Sequence, residues 1–464
     1  MRIRTLFLLA VLIRVVWAFF LAEDYWGDAD HNRFMVHQTL ESGTYSDYKD
    51  RHLVWLPMYR WAAIAVEAVL PPVVPDVVVP FLFQLAYMAM VGRWAMKNVA
   101  PERRFMALAI LWFWPLPLVF SGFNMAENAA LLGVTGALTT TGPLTVLWVV
   151  VSVLSRHEAT AFLALFAGLL MLRGHVRRSL LLGGGLVAGL LLWSLYNALA
   201  IGDAWFWLRS LFFASSAGAG AYIATHGVLP RLGEAVFAAV VIVPLLFVGL
   251  WRVPSWRDRS ESGLLTLSAF LFLGVFVLAA LRFFHGADPK YLLVLAFPFS
   301  MWTIQVAGDR RWVVWILIAL LPAYMLFFNI RSYTLELERE VGRSLSALPP
   351  DAVVWSDSPT VLVFADLGTA QAVSSDQIAN GADVAQVLTD RAVTHIVASD
   401  WSHSRTLTWF PQLDGDEAFE SGGFRFEPVS VHLPPKVGGH PLHRLRALAM
   451  NDSPSIRVWR LHAL

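Results

Sequence analysis

Long apolar runs recur through the first 330 residues, at 5–22, 77–96, 104–121, 126–140, 143–155, 159–172, 179–199, 233–251, 262–281, 290–307 and 311–330. A helix that crosses the hydrocarbon layer of a bilayer needs about 20 predominantly apolar residues. The pattern therefore predicts eleven spans, of which 143–155 is short enough to be re-entrant. The stretch 53–70 is apolar too, but Pro57, Arg60 and Glu67 interrupt it, and it reads as an interfacial helix within a first outer loop over 23–76. After Arg331 the pattern becomes that of ordinary globular sequence. Short β-rich runs at 352–355, 394–398 and 456–461 alternate with a helix predicted over 383–391, as in a small α/β domain. The fold class expected is a polytopic α-helical membrane protein of about eleven transmembrane helices (1–330) with a small C-terminal α/β domain (331–464).

Composition agrees with this division. Of 464 residues, 57% are hydrophobic and only 15% charged, against about 25% charged in soluble domains, which excludes a water-soluble enzyme of this length. A net charge of +1 gives no reason to expect a nucleic-acid partner. With no Cys, disulfides, thiolate metal sites and Cys nucleophiles are excluded. Basic residues fix the orientation, since they crowd the cytoplasmic loops. Arg2 and Arg4 precede the first run, Arg93, Lys97, Arg103 and Arg104 flank the turn after the second, and Arg173, Arg177 and Arg178 follow the sixth. Arg252, Arg257 and Arg259 follow the eighth run, and Arg310 and Arg311 the tenth. With the N-terminus cytoplasmic all five clusters fall inside, and an odd number of spans leaves the C-terminal domain extracytoplasmic. The first run resembles a signal peptide, but Arg14 interrupts it and no A-x-A site follows, so it is expected to stay as the first span.

Ionisable groups at membrane depth are costly and are functional by default. Here they gather on the outer side. Asp28 and Asp30 follow the first run, Glu127 opens the fourth, Arg156, His157 and Glu158 lie between the fifth and sixth, and Arg282, His285, Asp288 and Lys290 bridge the ninth and tenth. Each set has a plain alternative reading: solvated loop acids for Asp28 and Asp30, a first-turn acid favoured by the helix dipole for Glu127, a local ion pair for Arg156 and Glu158, and a helix start with Pro at its first position for Asp288-Pro289-Lys290-Tyr291. Four sequence-distant sets at one depth look instead like walls of one cavity. The C-terminal domain contains no G-x-G-x-x-G or P-loop and reads as a packing or acceptor-guiding element.

Several short motifs resemble those of the membrane-embedded GT-C glycosyltransferases, most closely the branch of protein O-mannosyltransferases and lipid A aminoarabinose transferases. Asp30-His31-Asn32-Arg33-Phe34 is similar to that family's first-loop acidic motif, with His31 where a second acid usually stands. The segment 52–59 (HLVWLPMY) resembles its Pro-containing segment. Met125-Ala126-Glu127 and Ser155-Arg156-His157-Glu158 resemble its Glu signatures at the starts of middle spans, and Asp288-Pro289-Lys290-Tyr291 its Arg-Tyr segment with Lys for Arg.

The resemblance implies an inverting transfer of a sugar, mannose-like or another hexose or pentose, from a polyprenyl-phosphate donor at the outer face of the membrane. The acceptor is a lipid, a glycan or a protein. It implies Asp30 as general base, with Asp28 as the alternative. The implied substrate-binding set is Glu127, Arg156, His157, Glu158, Arg282, His285, Lys290 and Tyr291. In it Arg282, Lys290 and Arg156 are candidates for the leaving phosphate, and Glu127 and Glu158 would orient sugar hydroxyls or those cations. Tyr25, Trp26, Trp55 and Tyr59 suit sugar stacking or an aromatic belt equally. Asp28-Ala-Asp30 spells a D-x-D metal pattern, but two acids cannot fill a six-ligand oxygen shell; no cofactor is expected, with a divalent metal the lesser alternative. A multi-span transporter or flippase is the main rival, which would stagger its charges through the membrane. A polysaccharide ligase or polymerase would need a large outer loop between late spans, and a scaffold leaves the outer carboxylates unexplained.

Overall fold

A computed structural model of the chain describes residues 3–22, 27–42, 57–70, 77–208, 228–245, 259–280, 288–308, 310–332, 335–368, 370–375, 383–400, 404–433 and 455–464. The chain divides into two compact units, 1–22 with 53–325 and 23–52 with 326–464.

The first unit is helical. Helix α1 (Ile3–Val16) runs on into a π-helical turn (Trp17–Leu21), and Arg14 within it is fully buried, its Nη1 donating to the Ala10 carbonyl at 3.3 Å. With α2 (Gly27–Ser42) in the second unit, the first continues through α3 (Met58–Glu67), α4 (Val78–Asn98), α5 (Arg104–Trp112), α6 (Pro115–Phe120), α7 (Glu127–Thr139), α8 (Pro143–Val153), α9 (His157–Leu172) and α10 (Val176–Ile201). Then come α11 (Val228–Ile242), α12 (Glu261–Ala280), a 3-10 turn at Pro289–Leu295, α13 (Ala296–Ala307) and α14 (Trp312–Ser332).

Among the described residues six helical stretches are long and apolar enough to cross a membrane: Ile3–Leu21, Val78–Asn98, Val176–Leu199, Glu261–Ala279, Pro289–Ala307 and Trp312–Asn329. They correspond to six of the eleven expected runs, those at 5–22, 77–96, 179–199, 262–281, 290–307 and 311–330. The run at 104–121 is broken because Trp114 is extended (φ −60°, ψ 121°) and Pro115 opens a new helix. A proline lacks an amide donor and biases the residue before it away from helix, which hydropathy does not register. Helix α7 has 13 residues and so is only about 20 Å long, short of a hydrocarbon core. Helix α11 ends at Ile242, and the run it belongs to passes outside the described residues after 245.

Glycines set the closest packing. Helix α8 packs against both α7 and α10. A Cβ at Gly136 of α7 would stand 2.4 Å from the Trp148 ring, and Cβ atoms at Gly185 and Gly189 of α10 would stand 2.6 and 2.7 Å from the Cβ atoms of Val149 and Val153. The Gly185-x-x-x-Gly189 spacing places both glycines on one helical face. In lipid, where apolar burial between helices gives no advantage, such close approach is a principal source of helix association.

The second unit contains α2, α15 (Glu336–Leu345), β1 (Val354–Ser356), α16 (Pro359–Phe364), β2 (Ala372–Ser374), α17 (Val384–Asp390), β3 (His395–Ser399), α18 (Arg405–Trp409), β4 (Phe419–Ser421), β5 (Phe424–His432) and β6 (Ile456–Ala463). The strands form one sheet in the order β2-β1-β3-β6-β5-β4. Strand β1 is parallel to β2 and β3, whereas β6 is antiparallel to β3 and β5. The β4–β5 hairpin turns on Gly422 and Gly423, both at positive φ (58° and 82°), which a tight two-residue turn requires. Alternation along the strands sends Val354, Val397 and Val458 into a core with Phe34 and Met35 of α2, Leu337 and Val341 of α15, and Val361 of α16. Trp355, Ile396 and Trp459 go into the opposite core, with Leu388 of α17 and Leu413.

Overpacking a tight helix contact costs roughly 1–3 kcal/mol, whereas replacing an unconstrained helical Gly by Ala gains up to about 1 kcal/mol. Gly189→Ala is therefore expected to lower the melting temperature of the detergent-solubilised protein. Gly184→Ala, five residues earlier with nothing within 4 Å of an added Cβ, is expected to leave it equal or higher. Equal responses at the two positions would contradict this packing.

Candidate active site

In the first unit three of the sequence-predicted sets come together. Glu127 is the first residue of α7 and is 1% exposed. The turns that deliver it are held by its neighbour Asn128, whose side-chain amide donates to the carbonyls of Phe120, Phe123 and Met125 at 3.1, 3.0 and 3.3 Å. Gln84 of α4 donates to Asn128 Oδ1 at 2.7 Å, and the buried Tyr59 hydroxyl of α3 donates to Asn124. The acid of the fourth run is thus anchored by α3 and α4.

Arg156 sits in an extended conformation just before α9 (φ −155°, ψ 140°), which turns its guanidinium back on its own helix start. Its Nε and Nη2 donate to the two carboxylate oxygens of Glu158, each at 3.1 Å, and its Nη1 lies 3.3 Å from Glu127 Oε1. This is the fork geometry that arginine supplies and lysine cannot. The guanidinium carbon is 5.3 Å from the centre of the Tyr291 ring, and Lys290 Nζ is also 5.3 Å from that centre. Asp288 caps the 3-10 turn by accepting from the Lys290 amide at 2.9 Å, with Pro289 at its first position. Lys290 is 6% exposed. The cluster therefore joins Glu127, Arg156, Glu158, Lys290 and Tyr291 from three separate helix starts, and its four charges cancel. The local-pair and helix-start readings of these motifs both hold, and they hold within a larger assembly. His157 turns elsewhere, its ring stacked on Trp207 (6.3 Å, 16°).

Asp30 lies in the first turn of α2 in the second unit and is 1% exposed. Its Oδ2 accepts from the Thr360 hydroxyl at 2.7 Å. Glu338 of α15, 4% exposed, accepts from the Ser358 hydroxyl at 2.8 Å. Ser358 also caps α16, so the two hydroxyls that hold the two acids stand two residues apart at the start of one helix. Burial, reinforced by the neighbouring Asp30 carboxylate and opposed by Ser358, Thr360 and Arg339, pushes the Glu338 carboxyl up to about 7. A second acid of this unit, Asp357, is raised by burial and held by Ser404 and Thr406.

Arg282 and His285, the Asp28 side chain, and Tyr25, Trp26 and Trp55 lie outside the described residues. Tyr59 is fully buried on Phe83 (5.7 Å, 26°) and is a packing residue. Among the described residues no group of three or more His, Cys, Asp or Glu side chains could hold a metal ion. Sequence reasoning missed Gln84, Asn124, Asn128 and Glu338. Asn128 adjoins the acid already singled out, and a polar amide inside an apolar run was the available signal.

The chain matches no family model and no curated protein in sequence. Its structure aligns with the crystal structure of ArnT from Cupriavidus metallidurans bound to undecaprenyl phosphate, over 98% of this chain and 97% of that one, with a TM-score of 0.60 at 10% sequence identity. The chain has the ArnT fold. The apo structure of the same ArnT aligns with a TM-score of 0.58 at 11% identity, over 90% of this chain and 95% of that one. The likeness is one of fold, and it extends over nearly the whole chain.

Removing one partner of a buried ion pair costs roughly 3–5 kcal/mol, because the remaining charge is left uncompensated. Arg156→Met is expected to destabilise the protein by about that amount, and adding Glu127→Gln to it is expected to recover part of the loss. Thermal unfolding of the four proteins in detergent measures this. Strict additivity of the two substitutions would show that Arg156 and Glu127 are not coupled.

Proposed function

We propose that the protein is a membrane glycosyltransferase that moves a sugar from a polyprenyl-phosphate donor to an acceptor hydroxyl at the outer face of the membrane, with inversion. The observation that carries this reading is an ArnT fold over nearly the full chain together with a charged cluster built by the Glu127, Arg156 and Lys290 segments, the motifs that resemble those of GT-C enzymes. In the proposed topology the N-terminus is cytoplasmic, the eleven apolar runs cross or re-enter the bilayer, and 331–464 is extracytoplasmic.

In the reaction the acceptor oxygen bonds to the anomeric carbon as the bond from that carbon to the phosphate oxygen breaks. The hydroxyl proton passes to Asp30, and the departing polyprenyl phosphate takes the electron pair. All three guanidinium nitrogens of Arg156 face carboxylates, so this residue serves to orient Glu127 and Glu158, which in turn orient the sugar. Lys290 is assigned the leaving phosphate. Because the four described charges cancel, a dianionic leaving group calls for a further cation, and Arg282 is the candidate in the sequence.

Incubation of purified protein with a panel of polyprenyl-phosphate sugars is expected to release polyprenyl phosphate from at least one of them, by transfer or by slow hydrolysis. Asp30→Asn is expected to lower turnover by about 10² to 10⁴ while the protein remains folded. Turnover above half that of wild type would remove Asp30 as the base. Charge-assisted contacts are worth roughly 1.5–3 kcal/mol, so Lys290→Ala should lower donor kcat/KM by about ten to a hundredfold, with Lys290→Arg partly active. Unchanged donor kinetics in Lys290→Ala would move the phosphate site away from this segment.

A further inference from the structure

The second unit holds a cavity of about 190 Å³ that the reaction just described does not use. Helix α2 packs along α16, and the cavity opens between the second half of α2 and the end of α16. Its polar lining is Arg33, His37, Gln38 and Glu41 of α2 and Asp366 of the turn after α16. Phe34, Leu362 and Phe364 supply an apolar wall. We propose that this cavity is the acceptor subsite, and that the acceptor is a glycan held there by one uncharged sugar ring. This rests on the transferase reading and on the assignment of Asp30 as base.

Residues three or four apart share a face of an α-helix. Asp30, Arg33, His37 and Glu41 follow that spacing, so the base and the lining lie along one face of α2, and the lining begins one turn beyond Asp30. His37 stands about 10 Å along the helix axis from Asp30. The cavity therefore suits the part of the acceptor that follows the reacting hydroxyl. Size, charge and hydrogen bonding then select the ligand. The volume is below the roughly 300–1,000 Å³ of sites for drug-sized ligands, which leaves room for one ring and not for a length of peptide. The lining sets Arg33 and His37 against Glu41 and Asp366. Behind it, Arg339 and Arg343 of α15 lie on the Phe364 ring at 5.5 and 5.4 Å, on a helix that also carries Glu336, Glu338 and Glu340. With no excess of positive charge to meet a phosphate, an uncharged ligand fits better than an anion. A sugar hydroxyl both donates and accepts, and the lining answers with carboxylates that accept, a guanidinium that donates, and Gln38 and His37 that do both. The left-handed residue that ends α16 is Asp366 (φ 51°), at a position glycine usually takes. An acid there gives the rim of the cavity a carboxylate.

Saturation-transfer NMR on the full chain in lipid nanodiscs, with no sugar-based detergent present, tests this without turnover. The probes are methyl glycosides of the common hexoses and of their disaccharides, with inorganic phosphate as competitor. At least one glycoside is expected to bind wild type. Its Kd should rise about tenfold in Asp366→Asn and in Glu41→Gln, where a charge-assisted contact becomes a neutral one. Both positions are exposed, and asparagine accepts the left-handed conformation as aspartate does, so the fold is kept. Glu420→Gln, at an exposed acid of the edge strand β4, should bind as wild type does. In the transfer assay the same glycoside should serve as acceptor, with its KM raised in the two cavity variants. Release of polyprenyl phosphate by wild type, together with no glycoside binding, an equal Kd in the cavity variants or displacement of the glycoside by phosphate, would overturn this inference and leave the transferase reading in place. Glycoside binding without release from any donor would overturn the transferase reading and the acceptor role with it.

Discussion

The Arg156 guanidinium is the interaction on which the arrangement of the membrane unit turns. A carboxylate taken out of water must find a cation or give up its charge, and two carboxylates, Glu127 and Glu158, are fixed here at the starts of α7 and α9. One arginine answers both, because its planar fork bonds Glu158 through two nitrogens and still presents a third to Glu127. The face of that fork then lies toward Tyr291, which fixes the 3-10 turn carrying Lys290. Three helix starts are thereby locked to one another by a single side chain.

That logic was partly legible in the chain. Glu127, Arg156, Glu158 and Lys290, singled out from sequence, do gather at one place in the first unit, whereas Asp30 is held in the second. Similarly, the β-rich runs at 352–355, 394–398 and 456–461 announce three of the six strands of the second unit's sheet. Hydropathy failed where local geometry overrides composition. Pro115 breaks a run that reads as continuous, and α7 has only 13 residues although most of them are apolar. Supporting groups were less visible still. Glu338 lies in a strongly charged segment that looks solvated, and only its neighbours Leu337, Val341 and Leu345, all buried against the sheet, reveal the face it shares. Asn128 gives no sign in sequence that its amide gathers three carbonyls of the preceding turns.

The ArnT fold at 10% identity fits this picture. At that identity the likeness is one of fold, and the side chains differ at most positions. Helix α2 groups with the C-terminal sheet in the second unit. Asp30, the acid assigned as base, accepts from the Thr360 hydroxyl, so the region 326–464 takes part in placing it.

The cluster around Arg156 and Lys290 is the proposed site for a lipid phosphate. Native mass spectrometry of the purified protein with added undecaprenyl phosphate tests it without requiring the sugar or the acceptor. The account predicts one bound lipid on wild type, strongly reduced occupancy on Lys290→Ala, and wild-type occupancy on Arg457→Ala, whose charge lies in the second unit. Equal lipid occupancy on wild type and Lys290→Ala would contradict it.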